Sequence, residues 1–162
     1  MNLQKLFKMQ RQLDEYIEQE HPRQEGEDRL AKKILALMVE LGELANELPE
    51  VFKFWSNKKN NREKALKEYV DCLHFLLSIG LSENIGTIEW EQIEPYKSKS
   101  TVQQFIVLFE YASLLLEDIT VYVDIWSSFI GLGEMLGFTW EQVEEAYMQK
   151  HAENIARQER GY

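Results

Sequence analysis

The chain reads as an all-α protein, a helical bundle, and three features predict it. Apolar residues recur three and four positions apart through most of its length, the spacing that lines one side of a helix. Outside those stretches, no segment alternates apolar and polar residues with the period of two that a half-buried strand needs. Two Thr-x-x-Gln runs, Thr101–Gln104 and Thr139–Gln142, have the form of capping boxes that open helices. With 162 residues, 44% hydrophobic, 28% charged and three prolines, the chain suits one domain over 1–162 with a real core, and is short for two.

The first predicted helix covers 2–20. Leu3, Leu6, Phe7, Leu13 and Ile17 run along one side, and Leu6 and Leu13 are core candidates. Gln10 and Asp14 lie on or beside that face; on local sequence alone they read as polar residues facing solvent. His21–Asp28 is a polar connection holding Pro22 and Gly26. The next helix starts near Arg29, with Leu30, Ile34, Leu37, Met38, Leu41, Leu44, Ala45 and Leu48 as its apolar stripe and Pro49 near its end. In Val51–Asn61, the aromatics Phe52, Phe54 and Trp55 run into Lys58 and Lys59. An aromatic beside a basic cluster suits a ligand with a flat ring and phosphates; it equally suits a core tryptophan followed by a solvated loop.

Arg62–Leu81 is predicted helical and is apolar nearly all round after Tyr69, so it should be buried. Ser82–Ser100, with Gly86, Pro95 and a YKSKS run, reads as a long connection or short helical pieces. Thr101 opens a helix to about Ile119, and another apolar helical region covers about Thr120–Leu136, its end loosened by Gly131, Gly133 and Gly137. Thr139 opens a last, highly charged helix to about Gln158.

A net charge of −10 argues against general affinity for nucleic acid or anionic membranes. A small polyanionic ligand stays open, because metal ions reverse the sign locally. Cys72, the single cysteine, can form no intrachain disulfide and lies in an apolar run, as a small buried hydrophobe of a reducing compartment would. The N-terminus is amphipathic and charged, unlike a signal peptide, and Glu110, Glu117, Asp118 and Asp124 interrupt the apolar region Val102–Gly137 too often for a membrane span. These features lead us to expect a soluble, cytoplasmic protein.

The chemistry is concentrated in two pairs of acids. Glu40 and Glu43 stand three apart on the second predicted helix, and Glu68 and Asp71 stand three apart on the third. Three residues are close to one helical turn, so each pair projects from one face and can converge on a point. Glu40 lies between Val39 and Leu41, and Asp71 is the only acid between Tyr69 and Ile79. A buried carboxylate needs a cation, hydrogen bonds or a raised pKa, and four converging acids need something positive between them. Hard divalent ions with oxygen ligands meet that need. One Glu-x-x-Glu alone reads as solvated helix acids; two pairs at the edges of apolar runs favour the metal.

Other chemistries lack their residues. There is no Gly-x4-Gly-Lys-Ser/Thr phosphate loop, no paired cysteines for zinc and no Gly-x-Ser-x-Gly elbow. The di-iron bundle pattern needs a carboxylate-x-x-His from each of two helices, and only Asp71-x-x-His74 is present. His74 alone reads as a satisfied core histidine.

The pairs Glu40-Leu-Gly-Glu43 and Glu68-Tyr-Val-Asp71 resemble the metal-binding signature of the all-α nucleoside triphosphate pyrophosphohydrolase superfamily. The closing stretch from Tyr147 through Lys150, Asn154, Arg157, Gln158 and Gly161 to Tyr162 is similar to that of the dimeric dUTPases. Gln10-x-x-Leu13-Asp14, Phe54-Trp55 followed by lysines, and Asp71-x-x-His74-Phe75 resemble further elements of that family. Position 14 carries Asp where the family has Asn, which bears on base selectivity more than on the chemistry. The resemblance implies an all-α homodimer that hydrolyses dUTP to dUMP and pyrophosphate with Mg²⁺, and it leaves dUDP open as a second substrate. It implies that Glu40, Glu43, Glu68 and Asp71 hold the metal, with Glu40 orienting and deprotonating the attacking water. Lys150, Asn154, Arg157 and Tyr162 would grip phosphates and sugar, and Lys58 or Lys59 would close over the terminal phosphate. Gln10, Asp14 and Trp55 would line the base pocket, with His74 and Phe75 near the nucleoside. A sister enzyme acting on dCTP, and a non-catalytic acidic bundle that binds a protein, are the alternative readings.

Overall fold

The computed structural model describes residues 3–83 and 93–161. Among them the chain forms seven α-helices: α1 (Leu3–Glu20), α2 (Arg29–Asn46), α3 (Pro49–Phe52), α4 (Arg62–Ser82), α5 (Thr101–Leu114), α6 (Tyr122–Met135) and α7 (Trp140–Glu159). No strand occurs among the described residues. The all-α bundle expected from the sequence is therefore the fold observed.

Side chains set the helix starts. Asp28 accepts from the Ala31 N–H to open α2, and Asn61 accepts from the Lys64 N–H to open α4. Thr139 and Gln142 form the reciprocal capping box of α7 as anticipated. The box expected at Thr101 does not form. Ser100 caps α5 one residue earlier, and Gln104 is fully buried, its amide donating to the Tyr96 and Ser128 carbonyls at 2.8 and 2.7 Å. Pro49 occupies the first position of α3, where a missing N–H costs nothing, so the chain restarts there as a single helical turn. α5 stops at Leu114 instead of reaching Ile119. Asp118 caps a short 3-10 turn, Ile119–Val121, that leads into α6. The long connection read over Ser82–Ser100 lies partly outside the described residues.

α4 is the central rod. It packs against α1, α2, α6 and α7, and Tyr69, Val70, Cys72, Leu73, Leu76, Leu77 and Ile79 are all completely buried. Its buried tyrosine and that of α6 keep their hydroxyls satisfied: Tyr69 donates to the Phe129 carbonyl at 3.0 Å and Tyr122 to that of Leu76 at 2.6 Å. Tyr69 also stacks on Phe129 with ring centroids 4.1 Å apart. Gly131 does not loosen α6 but lets it pack closely, since a Cβ there would overlap the Tyr96 carbonyl oxygen. The helix ends at Gly137, whose φ of 72° permits the Phe138 N–H to reach back to the Gly133 carbonyl at 2.9 Å. Cys72 is a free, buried thiol, and burial together with the neighbouring Glu40, Asp71 and Glu68 charges pushes its pKa well above the usual range.

Candidate active site

Helical spacing brings the polar side chains of four helices to one cavity. On α1, Gln10 and Asp14 are four apart; on α4, Asp71, His74 and Ser78 follow one line; on α7, Lys150, Asn154 and Arg157 do the same. α2 contributes Lys33 and Glu40, two turns apart on one face. These residues, with Leu13, Ile17, Glu18 and Phe75, line a cavity of about 330 Å³.

Glu40, Glu68 and Asp71 form its acidic end. Each offers a carboxylate oxygen, and the three oxygens lie within 4.8 Å of one another. Burial and mutual repulsion leave their marks. Glu40 is pushed up to about 7, mainly by burial and then by the charges of Asp71, Glu43 and Glu68. Glu68 is raised by burial and by Asp71 and Glu43. Asp71 is raised by burial although Lys150 Nζ lies 2.7 Å away and opposes the shift. Three hard oxygen donors that raise one another's proton affinity are what a small divalent cation relieves. Oxygens within 4.8 Å of one another can share one small divalent cation. The donor set fits the metal.

Of the residues named from sequence, Gln10, Asp14, Glu40, Asp71, His74, Phe75, Lys150, Asn154 and Arg157 line this cavity, and Glu68 joins it through the acidic trio. Glu43 is exposed and outside the trio, although its charge is felt by Glu40 and Glu68. Trp55 is not among the lining residues. It is 66% exposed on the segment between α3 and α4, in edge-to-face contact with Phe52 and Phe54. Lys58 and Lys59 are exposed beyond it, Lys59 paired with Glu50 at 2.6 Å. Tyr162 lies outside the described residues.

The sequence reading missed Lys33, Ser78 and Tyr147. Ser78 Oγ donates to Asp14 Oδ2 at 2.5 Å, Lys33 Nζ lies 3.4 Å from the same oxygen, and the buried Tyr147 hydroxyl reaches Gln10 Oε1 at 3.0 Å. Lys33 stands seven residues before Glu40 and Ser78 seven after Asp71, a two-turn register that would have found both. A larger cavity of about 810 Å³ shares Asp14, Glu18 and Lys33 with this one but none of the acidic trio.

Compared with known proteins, residues 2–162 match the family model described as dUTPase. No curated protein matches the chain.

Proposed function

The chain belongs to the dUTPase family and is a dUTP diphosphatase, and from that premise we propose that dUTP is split into dUMP and pyrophosphate in the cavity lined by α1, α2, α4 and α7. One observation carries the placement: the oxygens of Glu40, Glu68 and Asp71 converge, and Glu40 and Asp71 line a cavity that also holds Lys150, Asn154 and Arg157. Acids for a cation and cations for a polyphosphate meet at one place. The whole chain, 1–162, is read as one domain built around it.

Mg²⁺ held by Glu40, Glu68 and Asp71, with Glu43 at the rim, would neutralise the triphosphate and acidify a water. The protein's own share is positioning and proton transfer. Glu40 takes the proton of the attacking water onto a carboxylate oxygen. Lys150 and Arg157 bring positive charge to the phosphate oxygens, and Asn154 donates its amide hydrogens to phosphate or sugar. Gln10, Asp14, His74 and Phe75 form the nucleoside end. Trp55, Lys58 and Lys59 belong to an exposed segment, suited to closing over the base and terminal phosphate, and Tyr162 completes the grip from the C-terminal end. dUDP is a second substrate, because the acidic trio needs only a pyrophosphate linkage to act on.

The same reading makes the protein a cytoplasmic homodimer without nucleic-acid or membrane partners. Support comes from the exposed apolar side chains of the α5–α6 region, from the free thiol of Cys72 and from the net charge. No single helix among the described residues is long and apolar enough to cross a membrane.

The test is pyrophosphate release from a panel of deoxynucleoside and ribonucleoside triphosphates with and without Mg²⁺. Release from dUTP that requires the metal is expected. Equal release from dCTP would move the assignment to a broader pyrimidine enzyme, and metal-independent release would dismiss the role given to the trio.

A further inference from the structure

Around Gln10 the hydrogen bonds run in one direction. Gln10 Nε2 donates to Asp14 Oδ1 at 2.8 Å, while Gln10 Oε1 faces His74 Nδ1 at 2.7 Å and the Tyr147 hydroxyl at 3.0 Å. A carboxylate only accepts, so the Gln10 amide cannot turn its oxygen toward Asp14 without setting acceptor against acceptor. The oxygen is therefore held on the His74 side, where it requires donors. His74 Nδ1 must carry the ring hydrogen.

The second ring nitrogen then has no hydrogen of its own. The ring cannot escape by gaining a proton, because burial, with the charges of His151 and Lys150, lowers the His74 pKa to about 3. His74 is only 5% exposed, lines the cavity, and its Nε2 has no hydrogen-bond partner among the described residues. Tyr147 stacks on the imidazole at 4.2 Å between centroids, which fixes the ring plane. His74 lines the cavity, so a ligand seated there is the source of a donor for this unpaired acceptor.

We propose that Asp14 is a positioning residue for the nucleotide: by holding the Gln10 amide it locks His74 in the Nδ1–H tautomer and presents Nε2 as an acceptor to a donor group of the nucleoside. The inference rests on reading the cavity as the nucleotide site. Asp14 itself is already met by Gln10, Ser78 and Lys33, so it acts through its neighbours and not on the base. The nucleoside of dUTP offers two matching donors, the imide N–H of the base and the sugar hydroxyl.

Histidine ¹⁵N–¹H long-range correlation spectra of the full chain, free of metal and nucleotide, test the lock directly. Wild type should show His74 Nδ1 as the protonated nitrogen and Nε2 as the bare one. Asp14→Ala should mix the tautomers, and Asp14→Asn should weaken the Nδ1–H preference as well, because its amide can face Gln10 with either its oxygen or its N–H. An Nε2–H ring in the wild type, or a pattern unmoved in Asp14→Ala, overturns the proposal. In kinetics, Asp14→Ala should lose about tenfold in kcat/KM for dUTP, mostly through KM, with a smaller loss in Asp14→Asn. Unchanged kcat/KM in Asp14→Ala would also overturn it. Among analogues, loss of affinity on N3-methylation or on 3′-deoxygenation identifies the donor; indifference to both sinks the acceptor role. A wild type that releases nothing from dUTP removes the nucleotide reading and leaves the tautomer result standing, so the two failures are separable.

Discussion

Glu40, Glu68 and Asp71 hold protons more tightly together than any would alone, and that has a consequence for the metal-free protein. Glu40 has a folded pKa of about 7 against an ordinary 4.5, so the folded state binds more protons than the unfolded chain between those values. Its contribution to stability is complete below about 4.5 and disappears as pH rises through about 7. Thermal unfolding in chelator should therefore show stability falling across that window, and Glu40→Gln should flatten the fall. An unchanged profile in the variant would assign the pH dependence elsewhere. Added Mg²⁺ should raise the melting temperature most at the alkaline end, where the acids are ionised. In the loaded enzyme, Asp71→Asn is expected to lower kcat about a hundredfold or more, the scale of losing one strong electrostatic partner of a transition state. Glu43→Gln, at an exposed position, should cost less; equal losses would make Glu43 a full ligand. The acid pairs were legible in the sequence because a charge inside an apolar helical run is anomalous wherever the helix packs. Lys33 and Ser78 were not, since each is an ordinary polar residue until α1, α2 and α4 bring it to Asp14.

At the scale of elements, α7 divides into an anchor and a working end. Val143, Tyr147 and His151 are its buried residues, and the turns beyond carry Asn154 and Arg157 into the cavity. Truncation before Arg157 should leave the melting temperature nearly unchanged while raising KM for dUTP and lowering kcat. Unaltered kinetics would remove the last turns from the site. α6 behaves oppositely, because it has no room to spare. Gly131→Ala drives a methyl group into the Tyr96 carbonyl and should cost about 1–3 kcal/mol, read as a lower urea midpoint at constant slope. Helix identity was readable from the spacing of apolar residues, and the α7 start from its Thr-x-x-Gln. The same motif misled at α5, where Gln104 is taken by carbonyls from two other segments. The end of α5 reads a few residues late in the sequence for a related reason. The break is made by the Asp118 side chain on the Thr120 N–H, and the apolar run Leu114–Leu116 just before it carries the helical spacing past the true end of α5.

At the scale of the molecule, the apolar side chains left outside the core are not scattered evenly. Leu35 and Val39 stand one turn apart on α2, and Val102 and Ile106 one turn apart on α5, which packs beside it; all four are exposed. If a second copy covers this surface, Ile106→Glu should shift sedimentation from the mass of two chains to that of one. A variant that sediments like wild type would place the interface elsewhere. The innermost helix adds a different property to the whole. Cys72 is the chain's single thiol, fully buried at the centre of α4 with its ionisation suppressed. A thiol-reactive dye can reach it only when the bundle opens, so the molecule carries its own clock for opening. The rate of dye uptake counts excursions from the native state, and its dependence on added nucleotide reads out binding without any turnover assay.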